Sequence, residues 1–347
     1  MHDEIPDGTQ AKQPGSTLDS AEYGRLECRN IDTVVFGESK FATWYGNSAY
    51  FLSHGDDKLG IDQGSGGRRR GFSPAKSGFW LDVLYVCECC FKYTAKVDQM
   101  AAHRSVCSLN KRFPPLGQLV YADTKRPFII KKVRGFRHPL FCQNLALFGK
   151  LFLDDKSVFY NVEAFDFYVV YGYGHYHGHD PSMMKLSPLR PMGFFTKEVN
   201  SWESDNNLAC ICIFPPFQRL GLGSLLIEFS YALASVTPGQ SRSGPEFPLS
   251  PYGKVLYLRF WARRLAFVIL NEVAHNERLT LSLLADTTGF RKEDILMTLE
   301  YMGVLCRASS EKSDITLSIP NTEAWCEKNG VNTKVLGTML EHDYLLI

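Results

Sequence analysis

Apolar residues along the chain follow two spacings, one typical of strands and one typical of helices. Residues 31–52 are rich in β-branched and aromatic side chains separated by short turns, which predicts a series of strands. The segment LACICIF, residues 208–214, is apolar throughout and stops at two prolines, which predicts one fully buried strand. Leucine and phenylalanine then recur at helical spacing over residues 222–233, so we expect a helix to follow directly.

Two further segments predict helices. Residues 140–171 contain apolar stretches split by a pair of aspartates, which predicts a helix followed by a hairpin. Near the C-terminus, SLLADTTG and KEDILMTLEYMG predict two short helices around Gly289, a helix-turn-helix outline. The second of these helices is not basic, so we do not interpret the outline as a DNA-binding motif.

Three polar segments interrupt these patterns. Residues 1–28 are rich in Gly, Pro, Asp and Ser and are predicted to be a flexible tail. Residues 53–77 and 172–191 are predicted to be inserted loops. The first loop carries three consecutive arginines, and the second carries His175, His177 and His179 with no cysteine or carboxylate at a metal-binding spacing. We therefore interpret both as surface loops.

Composition limits the possible classes of protein. A chain of 347 residues suits two or three packed subdomains, and its hydrophobic fraction of 45% with 22% charged residues indicates a soluble globular protein. The net charge of +1 gives no support for binding to nucleic acid or to a membrane surface. No apolar run approaches the roughly 18 residues of a membrane span, and no secretory signal is present.

The first candidate site is a cluster of metal ligands. Cys87, Cys90, His103 and Cys107 have the spacing C-x2-C-x12-H-x3-C of a small zinc finger whose last histidine is replaced by cysteine. Four protein ligands leave no open position, so the zinc would be structural. Cys89 is an additional thiol that we do not expect to bind the ion. The alternative is a set of free buried cysteines.

The second candidate site is the segment QRLGLG, residues 218–223, between the predicted buried strand and the predicted helix. Glycines allow the backbone to approach a ligand closely, and a helix N-terminus offers unpaired N–H groups and a positive dipole end. Together they predict an anion site that suits a pyrophosphate. The alternative is a glycine-rich helix start with no ligand. The segment has neither the Lys-Ser/Thr of a nucleotide P-loop nor the third glycine of a dinucleotide fingerprint.

Several longer motifs carry a resemblance to a known family. They are WYGNSAYF, CECC…HRSVC, FCQNLALFGKLFLDDKSVFY, GFFTKE, NNLACICIFPPFQRLGLGSLLIEFSYAL and GPEFPLSPYG. In this order, over about residues 29–320, they resemble the MYST family of histone acetyltransferases. Within that family, WLDVLYVCECCFKYT, SGPEFPLSPYG and the C-terminal DYLLI are most similar to a branch that acts in chromatin silencing.

The resemblance implies an α/β (α+β) fold with a GNAT-like acetyl-CoA-binding core. An N-terminal strand-rich region with a C2HC zinc finger and a C-terminal helix-turn-helix-like region are expected to flank this core. We expect the flexible tail at residues 1–28, the N-terminal region at 29–135, the catalytic core at 136–257 and the C-terminal helical region at 258–347.

The resemblance also implies a function. The expected activity is transfer of an acetyl group from acetyl-CoA to a lysine of the histone H4 tail, at position sixteen of that tail, in chromatin silencing and transcription regulation. The expected location is the nucleus, in a complex with two other silencing subunits, with no membrane partner and no tight direct binding of DNA. Two alternatives stay open, a catalytically weak scaffold subunit and a zinc-finger DNA-binding protein, although the charge balance opposes the second.

Carried onto this sequence, the resemblance implies that Glu246 is the general base. A substrate lysine, with an ordinary pKa near 10.4, arrives protonated and needs a carboxylate to remove that proton. The resemblance places the family's characteristic cysteine at Cys210, where it either lines the site or forms an acetyl-cysteine, and we favour direct transfer. It places a self-acetylated lysine at Lys150. Without the resemblance, Glu246 and Lys150 would both be interpreted as exposed surface charges.

The resemblance further implies a set of contacts with acetyl-CoA from one strand, one loop and one nearby serine. These residues are Ile211, Cys212, Ile213, Gln218, Arg219, Leu220, Gly221, Leu222, Gly223, Ser224 and Ser250. The oxyanion that develops on the thioester needs a hydrogen-bond donor, and we expect a backbone N–H near Cys210 or Ile211 to supply it.

Overall fold

The structure is a computed structural model, and it describes residues 25–26, 29–47, 49–51, 61–62, 79–126, 128–153, 161–173, 188–199, 205–273, 280–307 and 315–347. The three histidines of the second predicted loop and most of the predicted tail and first loop lie outside these residues. Where they are described, parts of all three segments are strands, so the predicted tail and loops were too wide. Short strands pair through backbone groups, which side-chain polarity does not report.

The strands are short at the N-terminal end and longest in the centre of the chain. They are β1 (Arg25–Leu26), β2 (Ile31–Phe36), β3 (Ser39–Ala42), β4 (Gly46–Asn47), β5 (Ile61–Asp62), β6 (Phe79–Val86), β7 (Tyr93–Thr94), β8 (Gln118–Ala122), β9 (Phe128–Arg134), β10 (Phe165–Tyr173), β11 (Leu189–Glu198), β12 (Asn206–Leu208), β13 (Cys210–Ile213), β14 (Gly244–Pro245), β15 (Leu305–Arg307) and β16 (Ile315–Leu317).

The helices concentrate in the second half of the chain. They are α1 (Val97–Val106), α2 (Pro139–Lys150), α3 (Leu222–Ser235), α4 (Pro251–Val268), α5 (Leu281–Thr288), α6 (Lys292–Met302) and α7 (Ile319–Lys328). A π-helical turn, Ile269–Val273, continues α4, and single 3-10 turns occur at Ala49–Phe51, Val162–Ala164, Pro215–Phe217 and His342–Tyr344. The predicted helices within residues 140–171 and 222–233 are confirmed as α2 and α3.

A five-stranded antiparallel sheet forms the centre of the fold, in the order β13-β11-β10-β9-β8. Neighbouring residues of a strand point to opposite faces of a sheet. Phe195 of β11 contacts Phe229 of helix α3, whereas a Cβ placed on Gly149 of helix α2 would lie 2.8 Å from the Phe194 ring. The two helices therefore cover opposite faces, and this explains why β10 is apolar along nearly its whole length.

The apolar run at residues 208–214 forms two strands, so the prediction of a single strand was wrong. The run divides at Ala209, whose N–H donates to the Thr196 carbonyl at 2.8 Å. Strand β13 continues the central sheet beside β11, while β12 leaves it and pairs in parallel with β14. The partner that draws β12 away lies far along the chain, so local periodicity could not reveal the division. The result is a fork between β12 and β13.

The N-terminal sheet shares its apolar core with the central sheet. Its order is β3-β2-β6-β5, with β7 added to β6, and β2 and β6 are parallel. The ring of Phe36 stacks on Phe91 and Phe148 and meets Phe214 edge-on, with centroid separations of 5.7, 4.9 and 5.6 Å. One aromatic cluster therefore joins β2, the turn after β6, helix α2 and the end of β13.

The C-terminal helices pack around a second apolar cluster. Trp261 and Leu265 of α4 are fully buried there, together with Leu299 of α6. Helix α5 begins at Thr280, whose Oγ1 accepts from the Leu283 N–H at 3.1 Å. It ends at Gly289, whose φ of 71° is in the left-handed region that glycine adopts without strain. The predicted pair of helices around Gly289 is confirmed.

After helix α7 the chain returns to the central sheet. The Leu346 N–H donates to the Val120 carbonyl at 2.9 Å, and Leu345 forms an isolated bridge with Tyr121 of β8. The N–H groups of Met339 and Leu340 donate to one carboxylate oxygen of Glu228, in α3, at 2.8 and 2.6 Å. We call residues 338–347 the return segment.

The predicted mixed α/β class, with a GNAT-like core, is confirmed. The domain boundaries stay a prediction. Among the helices that the structure describes, none combines the length and the apolar character needed to cross a membrane.

Candidate active site and metal centre

Four side chains with metal-binding atoms meet at the end of strand β6. Cys87 and Cys90 lie in the turn that follows the strand, and His103 and Cys107 lie at the end of helix α1. Their ligand atoms all lie within 4.8 Å of one another. Cys90 Sγ is 3.2 Å from His103 Nε2, and the Sγ atoms of Cys87 and Cys107 are 3.9 Å apart. The predicted grouping of these four residues is confirmed.

These separations suit a tetrahedral ion. Zinc–thiolate bonds of about 2.3 Å set two sulfur ligands about 3.8 Å apart, and the Sγ atoms of Cys87 and Cys107 are 3.9 Å apart. The remaining thiol, Cys89, does not belong to the group, and its Sγ lies 3.5 Å from Asn110 Oδ1. Four protein ligands leave no coordination position for water or substrate, so an ion held here can serve the fold but not the chemistry.

The turn that presents the first two cysteines is anchored in the core. Phe91 adopts a φ of 60°, which non-glycine residues rarely do, while its side chain is fully buried. Its N–H donates to the Cys87 carbonyl at 2.9 Å. On the other side of the cluster, the Arg104 guanidinium reaches the Gly37 carbonyl at 3.1 Å and the Glu88 carboxylate at 2.9 Å. The cluster is therefore fixed to the N-terminal sheet from both sides.

The glycine-rich segment forms the turn from strand β13 into helix α3. The Gln218 side-chain amide donates to the Ile213 carbonyl at 3.1 Å, which ties the turn to the end of the strand. Arg219 and Gly221 have φ values of 67° and 78°, so the backbone reverses sharply before the helix begins at Leu222. We call residues 218–224 the acyl-donor loop.

The N-terminus of α3 has the character of an anion site. The first hydrogen bond of the helix runs from the Leu225 N–H to the Gly221 carbonyl. No side chain of the described residues caps this terminus. The N–H groups of residues 222–224 therefore have no helical carbonyl to bond, and the positive end of the helix dipole lies there. The predicted arrangement of strand, glycine turn and helix is confirmed, whereas ligand binding stays a prediction.

Two neighbours enclose this loop. A Cβ on Gly221 would lie 2.6 Å from the Met339 methyl group of the return segment. A Cβ on Gly223 would lie 3.3 Å from Leu256 of helix α4. Glycine is favoured at position 221 by its φ, and a Cβ there would also displace the flexible end of Met339.

Glu246 follows directly after strand β14 and is half-buried. Its N–H donates to the Leu208 carbonyl at 2.8 Å, which extends the pairing of β14 with β12 by one residue. Leu208 lies two residues before Cys210, at the fork. The structure thus brings Glu246 to the end of β12, two residues before Cys210 opens β13, although Glu246 and Cys210 are far apart in sequence.

Cys210 opens strand β13 and is 4% exposed. Its N–H donates to Thr196 Oγ1 at 3.2 Å, so this N–H is already engaged and does not fit the expected oxyanion donor. Cys212, on the same strand, is 5% exposed, and burial raises the pKa of its thiol, with a further contribution from Cys210. Cys212 is thus a core thiol of the central sheet.

Lys150 is the last residue of helix α2 and is only 4% exposed. Without the family resemblance, the sequence predicts Lys150 to be an exposed surface residue, and this prediction was wrong. The following residue, Leu151, accepts through its carbonyl from the N–H groups of Trp44 and Tyr45 at 2.9 and 3.1 Å. The WYGNSAYF segment thus bonds the residue that follows Lys150 at the end of α2.

Ser250 lies at the N-terminus of helix α4 and is exposed. Its Oγ accepts from the Gly253 N–H at 3.1 Å, and Pro251 occupies the first helical position. Ser250 therefore caps α4. The Ser-Pro pair is a recognisable helix-start signal that our interpretation of the sequence did not use.

A sequence profile of the MOZ/SAS family matches residues 114–343 of this chain. The chain belongs to the MOZ/SAS family. It is 39% identical to the Saccharomyces cerevisiae protein named histone acetyltransferase SAS2, over 94% of this chain and 87% of that protein. It is 37% identical to histone acetyltransferase mst2 of Schizosaccharomyces pombe, over 64% of this chain and 49% of that protein.

A third relative, histone acetyltransferase mst1 of Schizosaccharomyces pombe, is 32% identical over 80% of this chain and 50% of that protein. The chain therefore spans about half the length of these two relatives. The MOZ/SAS match begins after Cys107 and includes the acyl-donor loop, Glu246 and Lys150. The predicted resemblance to the MYST histone acetyltransferases is confirmed, and the similarity to SAS2 extends over most of both chains.

Two charged residues near the candidate site of this MOZ/SAS protein, Glu228 and Arg291, could not be predicted from any motif in its sequence. Glu228, in α3, receives the return segment, and burial raises the pKa of its carboxyl to about 7 despite the two backbone N–H groups that oppose the shift. Arg291 reaches the loop before Glu246 from the C-terminal helices. Both make contacts over long sequence separations, which spacing rules do not detect.

Proposed function

We propose that this protein is a histone acetyltransferase that moves an acetyl group from acetyl-CoA to a lysine of the histone H4 tail. Membership of the MOZ/SAS family, whose similar members carry the name histone acetyltransferase, supports this activity. The observation that carries the proposal is the fork between β12 and β13. It sets the Glu246 loop against β12, directly before β13 leads the chain into the acyl-donor loop.

Acetyl-CoA would lie along β13 and across the N-terminus of α3. In the part of the chain that the structure describes, β13 is the edge strand of the central sheet, so those backbone groups of residues 211–213 that face away from β11 can bond an amide-containing ligand. The acyl-donor loop would receive the pyrophosphate at its helical N–H groups. Ser250 is exposed at the start of α4, the helix whose Leu256 lies against Gly223.

Glu246 would act on the substrate ammonium group. Its carboxylate accepts one proton, and the neutral amine then attacks the thioester carbonyl carbon. A C–N bond forms and the C–S bond breaks. The new amide nitrogen loses its second proton to the departing thiolate, and Glu246 passes the first to solvent. Cys210 would line the site, with transfer direct from acetyl-CoA to the amine.

Cys87, Cys90, His103 and Cys107 would hold a structural zinc ion, which the sulfur spacing supports. Lys150 would be acetylated on its own Nζ. The reaction removes a positive charge from a position where water is largely excluded, and a charge is costly to bury in such a place.

The most specific part of the proposal concerns the target. We propose the lysine at position sixteen of the H4 tail, in chromatin silencing, within the nucleus and in a complex with two other silencing subunits. Similarity to the protein named SAS2 over most of both chains supports this choice.

The test compares labelled acetyl transfer to an H4-tail peptide by the native protein and by Glu246→Gln. A general base contributes about 10²- to 10⁴-fold to a rate, so the variant should lose that much at pH 7. The loss should shrink as the pH rises toward 10, because the free amine then becomes abundant. Acetyl-CoA binding, measured by calorimetry, should be retained.

Glu300→Gln is the matched control, because Glu300 is an exposed residue of helix α6 away from the fork. Peptides in which single lysines are replaced by arginine identify the target, and only the peptide altered at position sixteen should fail. No transfer by the native protein, alone or with candidate partner subunits, despite bound acetyl-CoA and zinc, would favour the scaffold function.

A further experiment separates direct transfer from an acetyl-cysteine. The protein is mixed with labelled acetyl-CoA without peptide, denatured, and analysed for label on Cys210 and on Lys150. Direct transfer predicts no label on Cys210 and nearly full activity in Cys210→Ala. Label on Cys210 that is passed to added peptide would contradict it.

A further inference from the structure

Arg291 is a nearly buried arginine between the C-terminal helices and the strand pair β12–β14. Its side chain is 9% exposed, and its guanidinium donates in three directions. Nε donates to Asp294 Oδ2 at 3.0 Å, and Nη2 donates to the Pro245 carbonyl at 2.6 Å. Nη1 donates to Asp205 Oδ1 at 3.3 Å and to Asn206 Oδ1 at 3.2 Å. A buried guanidinium needs hydrogen-bond acceptors for its N–H groups, and these contacts supply them.

Arg291 contacts the chain on both sides of Glu246. Before it, the Pro245 carbonyl accepts from Nη2. After it, the ring of Phe247 lies 5.4 Å from the guanidinium carbon, within the range of a cation–π contact. A Cβ on Gly244 would lie 2.4 Å from Nη2 and 2.3 Å from Asp294 Oδ2. The loop backbone therefore rests directly on the Arg291–Asp294 pair.

The same helices hold the loop a few residues earlier. The Ser243 N–H donates to the Gly289 carbonyl at 2.9 Å, and Ser243 forms an isolated bridge with Phe290. Arg242 and Asp286 form an ion pair that is largely exposed on both sides. The turn between helices α5 and α6, residues 289–291, thus contacts the loop, and so do Asp286 before it and Asp294 after it. In this protein, the helix-turn-helix outline of α5 and α6 contacts the loop that carries Glu246.

We infer that Arg291 is a positioning residue, which fixes the backbone of Glu246 from the C-terminal helices so that its carboxylate meets the substrate amine. The inference rests on the proposed function, because it requires Glu246 to be the base. A misplacement of about 1 Å at a reacting group lowers a rate by about 10²-fold. The planar guanidinium of Arg291 donates to the Pro245 carbonyl and to the Asp294 carboxylate at the same time. A lysine ammonium has no such fixed geometry.

The test is a double-mutant cycle on kcat with Arg291→Lys, Glu246→Gln and the double variant. Arg291→Lys keeps the buried positive charge, so we expect it to fold. Its kcat should fall by about 10- to 100-fold, with KM for acetyl-CoA changed by less than about threefold. In the double variant, kcat should be no lower than in Glu246→Gln alone, since a positioning residue has nothing left to position.

Arg242→Ala is the matched control. It removes an ion pair between the same two segments but does not touch Pro245, Phe247 or Glu246, and its kcat should equal that of the native protein. Melting temperature and acetyl-CoA binding are measured for every variant. If Arg291→Lys is unstable, Asp294→Asn takes its place, because Asp294 orients the guanidinium through Nε.

Three outcomes decide the inference. Native kcat in folded Arg291→Lys would overturn it. So would a loss that multiplies in full with that of Glu246→Gln, because Arg291 would then act independently of the base. If Glu246→Gln itself retains kcat, the base assignment fails and the inference falls with it, and this failure is visible in a variant where Arg291 is intact.

Discussion

The metal-ligand cluster and the C-terminal helices are held together by different means. Helix α1 has ten residues, of which Met100 is buried, and strand β7 next to it has two. In contrast, helix α4 buries Tyr257, Leu258, Trp261, Ala262, Leu265, Ala266 and Val268. Elements as short as those around the cluster cannot bury enough apolar surface to fold alone. We therefore expect the first region to depend on bonds from its four ligands to a metal ion, and the second to depend on apolar packing.

This difference has a consequence for function. The metal-ligand cluster comes before the central sheet in sequence and the C-terminal helices come after it. Both regions contact segments that build the proposed site. The metal-ligand cluster contacts the aromatic core through the stacked rings of Phe36 and Phe91. The C-terminal helices contact the Glu246 loop through Arg291, which donates to the Pro245 carbonyl. Agents that act on one kind of bond should disturb one region and leave the other intact.

The largest expected effect is metal removal. Structural zinc in small fingers contributes about 10–16 kcal/mol, so chelation, or Cys90→Ser, should unfold residues 87–107. Hydrogen exchange of α1 should rise to the rate of an unstructured chain, while α4 stays protected. Bound zinc, measured by mass spectrometry, should fall from one ion to none.

Cys89→Ser is the control for Cys90→Ser, because Cys89 is the neighbouring thiol outside the ligand group. It should keep its zinc and its protection. Equal protection of α1 with and without metal would show that the cluster is held by packing after all, and the contrast between the regions would disappear.

The second prediction concerns a substitution that should disturb the C-terminal helices and leave the metal-ligand cluster intact. Trp261 is fully buried, and its Nε1–H donates to the Tyr231 hydroxyl at 2.8 Å. Trp261→Ala should cost about 3–5 kcal/mol and should raise exchange in α4 to α6 without releasing zinc. Tyr252→Ala, on the same helix but 63% exposed, should change the free energy of unfolding by less than about 0.5 kcal/mol. Loss of zinc from Trp261→Ala would mean that the two regions unfold together.

A third, smaller effect concerns Glu228 of helix α3, which receives the return segment. Its carboxyl has a pKa of about 7 in the folded protein against an ordinary value of 4.5, because burial outweighs the hydrogen bonds from Leu340 and Met339. The folded state therefore binds this proton more tightly than the unfolded state. The associated stability is complete below about pH 4.5 and is lost as the pH rises through about 7.

Replacement by glutamine removes this titration and keeps an oxygen that can accept from Met339 and Leu340. The native protein should lose on the order of 2 kcal/mol more than Glu228→Gln between pH 5 and 8, measured by urea unfolding across that range. Parallel pH profiles for the two proteins would show that Glu228 titrates normally.

The sequence was most informative where chemistry is local. The four ligands could be predicted because their spacing alone brings them together, and the acyl-donor loop could be predicted because strand, glycines and helix follow one another directly. The division at Ala209 could not, because it depends on β14, a distant segment. The burial of Lys150 has no local signal either, and the chain that bonds the next residue, Leu151, comes from residues 44–45, far away in sequence.

Arg291 belongs to the same class of long-range features. Three of its partners, Asp205, Asn206 and Pro245, lie far from it in sequence, and only Asp294 is close. A lone arginine before a helix carries no pattern that marks it. Residues that hold a site in place are therefore harder to predict than residues that make up its motif.

The return segment has a consequence for the order of synthesis. Gly221 and Glu228 leave the ribosome long before Met339 and Leu340, which cover the loop and bond the carboxylate. During translation the nascent chain holds the acyl-donor loop with one side uncovered and with an acidic group in contact with water. The site is thus completed only when residues 339–340 have been made, and an unfinished chain cannot present it in its final form.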